Sequence, residues 1–146
     1  MSLVLADANI LAAALHPLAG RHEQARTWLD ETVNGRDELA VVPATLIGAI
    51  RICTNSRIFD PPASTELARR FVSVLRRAPR TRVLPANEAV WERFDRLLAE
   101  DPQARGNLVP DAWLAALAIA HGARLATQDR GMARWPGLDW FDPTAN

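Results

Sequence analysis

Short apolar segments alternate with helix-length segments along this chain, and no other feature of the sequence constrains the fold as strongly. A short apolar run bounded by turn residues predicts a buried strand, whereas apolar residues three and four apart predict one face of a helix. Strands separated by helices favour a parallel sheet with helices packed on both faces. We therefore predict a three-layer α/β/α domain with a mostly parallel sheet of four to five strands, at residues 3–6, 39–42, 81–85, 124–127 and 138–141.

Residues that start or stop helices set the limits of the predicted helical segments. Pro17 ends a short helix that begins at Asn9, and Gly35 follows the second helix. Pro43 suits the first turn of the third helix, and Ser64 is a cap for the fourth. Two further helices follow, over residues 87–101 and 111–121.

Length and composition predict one globular domain, over residues 1–146, with 49% apolar residues. No apolar run approaches the roughly 18 residues that span a bilayer, and the N-terminus lacks the pattern of a signal peptide. A cytoplasmic protein without a membrane partner is therefore expected. Cys53 is the only cysteine, so the chain can form neither an internal disulfide nor a cysteine-rich zinc site.

The charged residues balance, with 17 acidic and 17 basic side chains, and every basic one is arginine. Zero net charge is unusual for a protein that binds nucleic acid by bulk electrostatics. The absence of lysine argues against phosphoryl-transfer sites that pair an aspartate with a lysine, as in response-regulator receivers and haloacid-dehalogenase-type phosphatases.

Three aspartates are predicted at one edge of the sheet. Asp7 follows the first strand, Asp129 follows the fourth, and Asp111 comes after a predicted loop, 104–110, in the first turn of the helix that leads to the fourth strand. Ligand crevices of such sheets lie outside the carboxyl ends of the strands. If the first and fourth strands are neighbours, the three carboxylates converge there.

Each of these acids also has a structural explanation. Asp7 or Asn9 can cap the helix that follows, Asp111 is favoured by the dipole of its helix, and Asp129 suits a turn. Together, however, three carboxylates stay ionised at close range only with a cation between them. Oxygen ligands of this kind select a hard cation such as Mg2+ or Mn2+.

Three segments carry a resemblance to a known family: VLADANIL at the start, IRICTNSRIF in the middle, and GNLVPDAWLAALAIAHGARLATQDRGMARWPGLDWFDP towards the end. With these motifs the chain resembles PIN-domain proteins, specifically VapC-type toxins of bacterial toxin–antitoxin pairs. The resemblance implies a Mg2+- or Mn2+-dependent endoribonuclease that is silenced by a cognate VapB-type antitoxin and commonly dimerises. It implies that Asp7, Asp111 and Asp129 are catalytic, metal-binding acids, with Asn9 and Thr127 as polar neighbours.

One position departs from the family pattern. PIN domains usually carry a fourth acid, a glutamate on the helix after the second strand, and the corresponding residue here is Gly48. Two functions are therefore carried forward. The first is an active ribonuclease toxin, and the second is a degenerate PIN domain that binds antitoxin or RNA with weak or no cleavage.

Arginine and tryptophan side chains supply further candidates. Possible RNA-binding residues are Asn55, Arg57, Arg51 and Arg130, since guanidinium groups hold phosphates near a nuclease site. Trp28, Trp91 and Trp113 occupy positions typical of helix packing, which predicts burial in the core or at an interface.

Overall fold

A computed structural model describes residues 2–145. Its central sheet has five strands in the order β3-β2-β1-β4-β5, and every neighbouring pair is parallel. The strands are β1 (Leu3–Ala6), β2 (Glu38–Val41), β3 (Arg82–Val83), β4 (Arg124–Ala126) and β5 (Trp140–Phe141). The predicted α/β class and parallel sheet are confirmed.

Six α-helices within residues 2–145 cover the two faces of the sheet. They are α1 (Ala8–Leu15), α2 (His22–Asn34), α3 (Pro43–Cys53), α4 (Thr65–Arg77), α5 (Glu88–Glu100) and α6 (Leu108–Ala120). Buried residues of α5 and α6 pack against one face of the sheet, and buried residues of α1 to α4 form a core on the other. Within β1, Leu5 faces the first core and Ala6 the second, as the two-residue period of a strand requires.

The predicted stop signals act as expected at several helix ends. The α1 helix ends at Leu15 before Pro17, and the Ser64 hydroxyl accepts a hydrogen bond from the Leu67 amide at 3.1 Å. Gly122, after α6, has a φ of 67°, a conformation that glycine adopts without steric cost.

Several predicted limits are wrong. The α6 helix begins at Leu108, inside the predicted loop, because Pro110 lies in the first turn, where backbone amides need no partner within the helix. A 3₁₀ helix that was not predicted spans Arg130–Arg134. The β4 strand ends at Ala126, so Thr127 lies in the loop that follows, and α1 starts one residue early, at Ala8.

The tryptophans differ in environment. Trp91 is 47% exposed, so of the two predicted environments, core and interface, the core is excluded, whereas Trp135 is 2% exposed in the core beside α5 and α6. Trp28 and Trp113 are partly buried against the core. Helix periodicity places Trp91 on the side of α5 that faces α6, yet its indole lies at the open edge of that contact.

Candidate active site

Asp7 lies at the carboxyl end of β1 and is also the N-cap of α1. One carboxylate oxygen, Oδ1, accepts a hydrogen bond from the Ala8 amide at 2.7 Å. The other, Oδ2, accepts one from the Thr127 hydroxyl at 2.8 Å. The capping interpretation of Asp7 is therefore correct, and it leaves the carboxylate at the sheet edge where a site was expected.

Thr127 connects the loops that follow β1 and β4, which are paired strands. Its side chain is fully buried, and its oxygen accepts hydrogen bonds from Asn9 Nδ2 at 3.2 Å and from the Asp129 amide at 3.0 Å. With both acceptor positions occupied, the hydroxyl proton is directed to Asp7. Thr127 thus stabilises the ionised form of Asp7.

Asn9 and Asp129 complete this polar network. The Asn9 side-chain oxygen accepts a hydrogen bond from the Gln128 amide at 3.1 Å. Asp129 caps the 3₁₀ helix, where its Oδ1 accepts a bond from the Gly131 amide at 2.8 Å. The side chain of Asp129 is exposed, so it serves both as the predicted turn aspartate and as an acid near Asp7.

Asp111 approaches from the other side, in the first turn of α6. It is half-buried, and it lines a pocket of about 390 Å³ together with Asp7. In the described part of the chain, residues 2–145, none of the three acids forms an ion pair. No ion pair with a basic side chain therefore neutralises these acids.

The pKa values of Asp111 and Asp7 reflect the nearby negative charges. Burial raises the pKa of the Asp111 carboxyl, and the charges of Asp129 and Asp7 raise it further. Burial also raises the pKa of Asp7, with a contribution from Asp129, against the opposing effect of the Thr127 and Ala8 hydrogen bonds. Carboxyls whose ionised form is disfavoured by burial and by nearby negative charge favour binding of a cation.

The donor atoms fit a hard divalent cation, because all three acids offer carboxylate oxygen. Within residues 2–145, however, no group of three His, Cys, Asp or Glu side chains is arranged closely enough to enclose a metal ion. Water ligands, several of which Mg2+ usually keeps, would complete its coordination at this site.

Replacing Asp111 with asparagine is expected to raise the stability of the metal-free protein by up to about 0.5 kcal/mol at neutral pH, after discounting for solvent screening. The pKa of Asp111 is raised in the folded state, so its ionisation costs stability. The cost is absent below the unfolded pKa of 3.8, grows as the pH rises towards the folded value, and is complete above it. Thermal melts of both proteins in EDTA at pH 4 and pH 7 measure this difference, and an equal gain at both pH values would contradict the electrostatic cause.

The other predicted residues lie at different distances from this centre. Gly48 and Arg51, on α3, line the same pocket as Asp7 and Asp111. Arg130 directly follows Asp129 and is exposed. Asn55 and Arg57 lie beyond the end of α3 and outside the pocket lining, where the Asn55 side-chain oxygen accepts a bond from the Arg57 amide at 2.9 Å.

Sequence reasoning missed the aromatic wall of this pocket. Trp91, Phe94 and Trp113 line it together with Gly48 and Arg51. The spacing of Trp91 and Phe94 on α5 was visible in the sequence, but the same spacing is typical of a buried helix face. Only the packing of α5 beside α6 shows that part of this face borders the acids.

The chain combines an all-parallel sheet with aspartates at the carboxyl ends of β1 and β4 and at the start of α6. The family model for the PIN domain matches residues 4–138. The chain belongs to the PIN-domain family.

Relatives within the family are VapC proteins. The chain is 36% identical over 141 residues to ribonuclease VapC43 of Mycobacterium tuberculosis, covering 97% of this chain and 95% of the relative. It is 32% identical over 142 residues to ribonuclease VapC31 of the same species, with 97% and 99% coverage. The predicted resemblance to VapC-type PIN domains is confirmed.

Solved structures confirm the fold. VapBC2 from Rickettsia felis, bound to a promoter DNA fragment, matches with a TM-score of 0.70 at 16% identity, over 96% of this chain and 98% of that one. VapBC-1 from nontypeable Haemophilus influenzae matches with a TM-score of 0.68 at 20% identity, over 98% and 99% of the two chains. At these identities the likeness is one of architecture.

Proposed function

We propose that this chain is a divalent-metal-dependent endoribonuclease that acts as the toxin of a toxin–antitoxin pair. The observation that carries the proposal is that Asp7 and Asp111 line one pocket at the sheet edge and that the charge of Asp129 helps to raise the pKa of both. The 36% identity to a VapC ribonuclease over 97% of the chain supports the same conclusion.

In this proposal the three aspartates hold Mg2+ or Mn2+ and are the catalytic acids. A divalent ion bound there would supply a water of lowered pKa and stabilise the charge that develops on the phosphate. The Thr127 hydroxyl favours the ionised form of Asp7 and orients it, and Asn9 donates a hydrogen bond to Thr127. Such partners of metal ligands typically contribute 10- to 100-fold in affinity or activity, as an order of magnitude.

Basic side chains around the acids bind the RNA backbone in this proposal. Arg51 is exposed at the pocket that Asp7 and Asp111 share, and Arg130 is exposed next to Asp129. Asn55 and Arg57, past the end of α3, would contact RNA farther from the cleaved bond. Since the net charge of the chain is zero, local arginines rather than a general positive field would position the substrate.

Apolar side chains on α3 and α4 support the proposal of a VapB-type antitoxin and of a homodimer. Ile47, Leu67 and Val74 are 64%, 54% and 71% exposed. Side chains of this kind in exposed positions are common at protein interfaces. No helix in the described part of the chain has the length and apolarity needed to cross a membrane.

Purified protein, free of antitoxin, would be incubated with total cellular RNA in Mg2+, in Mn2+ and in EDTA. Discrete fragments that form only with a divalent metal are the expected result. A folded, metal-supplied protein that leaves all RNA intact would refute the proposed activity.

The alternative, a degenerate PIN domain that binds antitoxin or RNA but cleaves poorly, is favoured by one observation. Gly48 lines the pocket beside Asp7 and Asp111 and supplies no carboxylate there. A Cβ atom at position 48 would lie 3.0 Å from Ala8 Cβ, so a longer side chain would start next to the residue that follows Asp7.

Introducing the family acid by Gly48→Glu is expected to raise the apparent Mg2+ affinity roughly tenfold and to increase the cleavage rate, because ligand charge tunes the affinity of oxygen-ligand sites. Ala8 must shift by a few tenths of an ångström, while the helix gains about 0.5–1 kcal/mol from loss of glycine. Metal titration of RNA cleavage measures the effect.

Gly48→Gln is the matched control, since it has nearly the same shape without the charge. If the glutamate and glutamine variants show the same metal dependence, a missing carboxylate at position 48 does not limit activity.

A further inference from the structure

The pocket that contains Asp7 and Asp111 in its lining is also lined by residues of α3, α5 and α6. Asp7 and Asp111 lie in its lining, Gly48 and Arg51 belong to the α3 wall, and the rest of the lining is largely apolar. Its volume of about 390 Å³ falls within the range of about 300–1,000 Å³ that is typical of small-molecule sites. The pocket therefore has room for one group of a substrate whose cleaved bond lies at the acids.

Three aromatic rings, which pack against one another, belong to the lining of this pocket. The Trp91 ring centroid lies 4.5 Å from that of Trp113 and 5.9 Å from that of Phe94, and Phe94 packs edge-on against Trp113 at 5.2 Å. These contacts hold the Trp91 indole in place although the residue is 47% exposed. A rigid, exposed aromatic side chain thus lines the pocket that the acids share.

Exposed aromatic rings beside a backbone-binding site are the means by which proteins bind unpaired nucleobases. An RNA strand whose phosphate lies at Asp7 and Asp111 must extend its neighbouring nucleotides away from the acids, and this pocket is continuous with that position. Arg51, in the same lining, supplies a cation for an adjacent phosphate.

We propose that the pocket binds an unstacked nucleobase of single-stranded RNA, next to the hydrolysed phosphate, and that Trp91 stacks on that base. The inference rests on the proposed function for its substrate class and adds a preference for unpaired RNA. A duplex keeps its bases stacked on each other, so it cannot place one against Trp91 without opening.

Stacking is measured directly with a short oligoadenylate that carries one 2-aminopurine, whose fluorescence falls when its ring stacks. Binding is measured with Ca2+ in place of Mg2+, because Ca2+ takes oxygen ligands in a looser geometry than Mg2+ does. An oligonucleotide of equal length with an abasic site at the same position serves as the second probe. The wild-type protein is expected to quench the fluorescence and to bind the abasic probe more weakly.

Three variants separate stacking from packing. Trp91→Leu keeps apolar bulk but has no ring, and its affinity for the oligoadenylate is expected to fall roughly 5- to 100-fold, to the level of the abasic probe. Trp91→Phe keeps a ring and is expected to retain most of the affinity and the quenching. Leu18→Ala, an exposed apolar change in the loop after α1 and outside this pocket, is the control and is expected to bind like the wild type.

Equal binding of the oligoadenylate by Trp91→Leu and the wild type would overturn the proposal. So would an equal loss for the oligoadenylate and the abasic probe, because the effect would then not depend on the base. Loss of antitoxin binding with unchanged RNA binding would assign the pocket to a protein partner instead. A wild-type protein that stacks the probe but cuts no RNA in Mg2+ or Mn2+ would refute the nuclease and leave the base-binding site standing.

Discussion

Replacing Asp7 with alanine is expected to reduce metal-dependent RNA cleavage at least about 100-fold while the protein remains folded. The substitution removes one of the three carboxylates proposed to hold the metal, together with the group that accepts the Thr127 hydroxyl proton. Its effects on stability oppose each other. The α1 cap is worth about 1 kcal/mol, whereas the buried charge of Asp7 is unfavourable, as its raised pKa shows.

The activity of Asp7→Ala should be measured on the same RNA as the wild type, across a range of Mg2+ concentrations and beside a thermal melt. Asp30→Ala is a suitable control because Asp30 is an exposed acid whose ion pair with Arg26 lies within α2. Cleavage by Asp7→Ala within a few-fold of Asp30→Ala would show that Asp7 is only a helix cap.

Replacing Thr127 with valine is expected to destabilise the protein by about 2–4 kcal/mol and to lower cleavage roughly 10- to 100-fold. Valine has almost the same shape but no hydroxyl. The change leaves Asp7 Oδ2 without its 2.8 Å donor and the Asp129 amide without its 3.0 Å acceptor. Since Thr127 is fully buried, water cannot readily replace these bonds.

Thr127→Ser is the matched variant, because it keeps the hydroxyl and loses one methyl group. Chemical denaturation and cleavage assays on both variants separate the hydrogen bonds from the packing. A large loss in the serine variant with little loss in the valine variant would show that the methyl group, rather than the hydroxyl, matters at this position.

The sheet was predictable because its strands are short apolar runs with clear boundaries. Leu3–Ala6 and Arg124–Ala126 could be recognised locally, and the helices between strands imply parallel pairing. The start of α6 was not predictable, because Asn107 caps it without a side-chain hydrogen bond and Pro110 resembles a loop residue. Local signals of a helix start were therefore missing at that end.

The placement of the acids was predictable to the level of the sheet edge and no further. Asp7 and Asp129 follow strands that proved to be neighbours, but the 3₁₀ helix that Asp129 caps leaves no signal in apolar periodicity. The double acceptor role of Thr127 depends on Asn9, 118 positions away in sequence. Such a bond is a product of the tertiary fold, which local patterns do not contain.

The exposure of Trp91 is a second property that local sequence patterns could not predict. On α5 its spacing from Phe94 is that of a buried helix face, and Trp113 on α6 gives the same impression. How much of the indole stays exposed depends on where α3 lies relative to α5, and this distance is set by the sheet between them. Exposure of a residue at the margin of a core is a property of several elements together.

The strand order also governs when the protein can become active. β1 is synthesised first, but its partner β4 and the loop that carries Thr127 and Asp129 come 120 or more positions after it. On the proposed function, a ribosome-bound chain that has not yet extended past Asp129 lacks an acid and the hydroxyl that orients Asp7. A nascent copy therefore cannot attack RNA, including its own messenger and ribosome, until Asp129 has been synthesised.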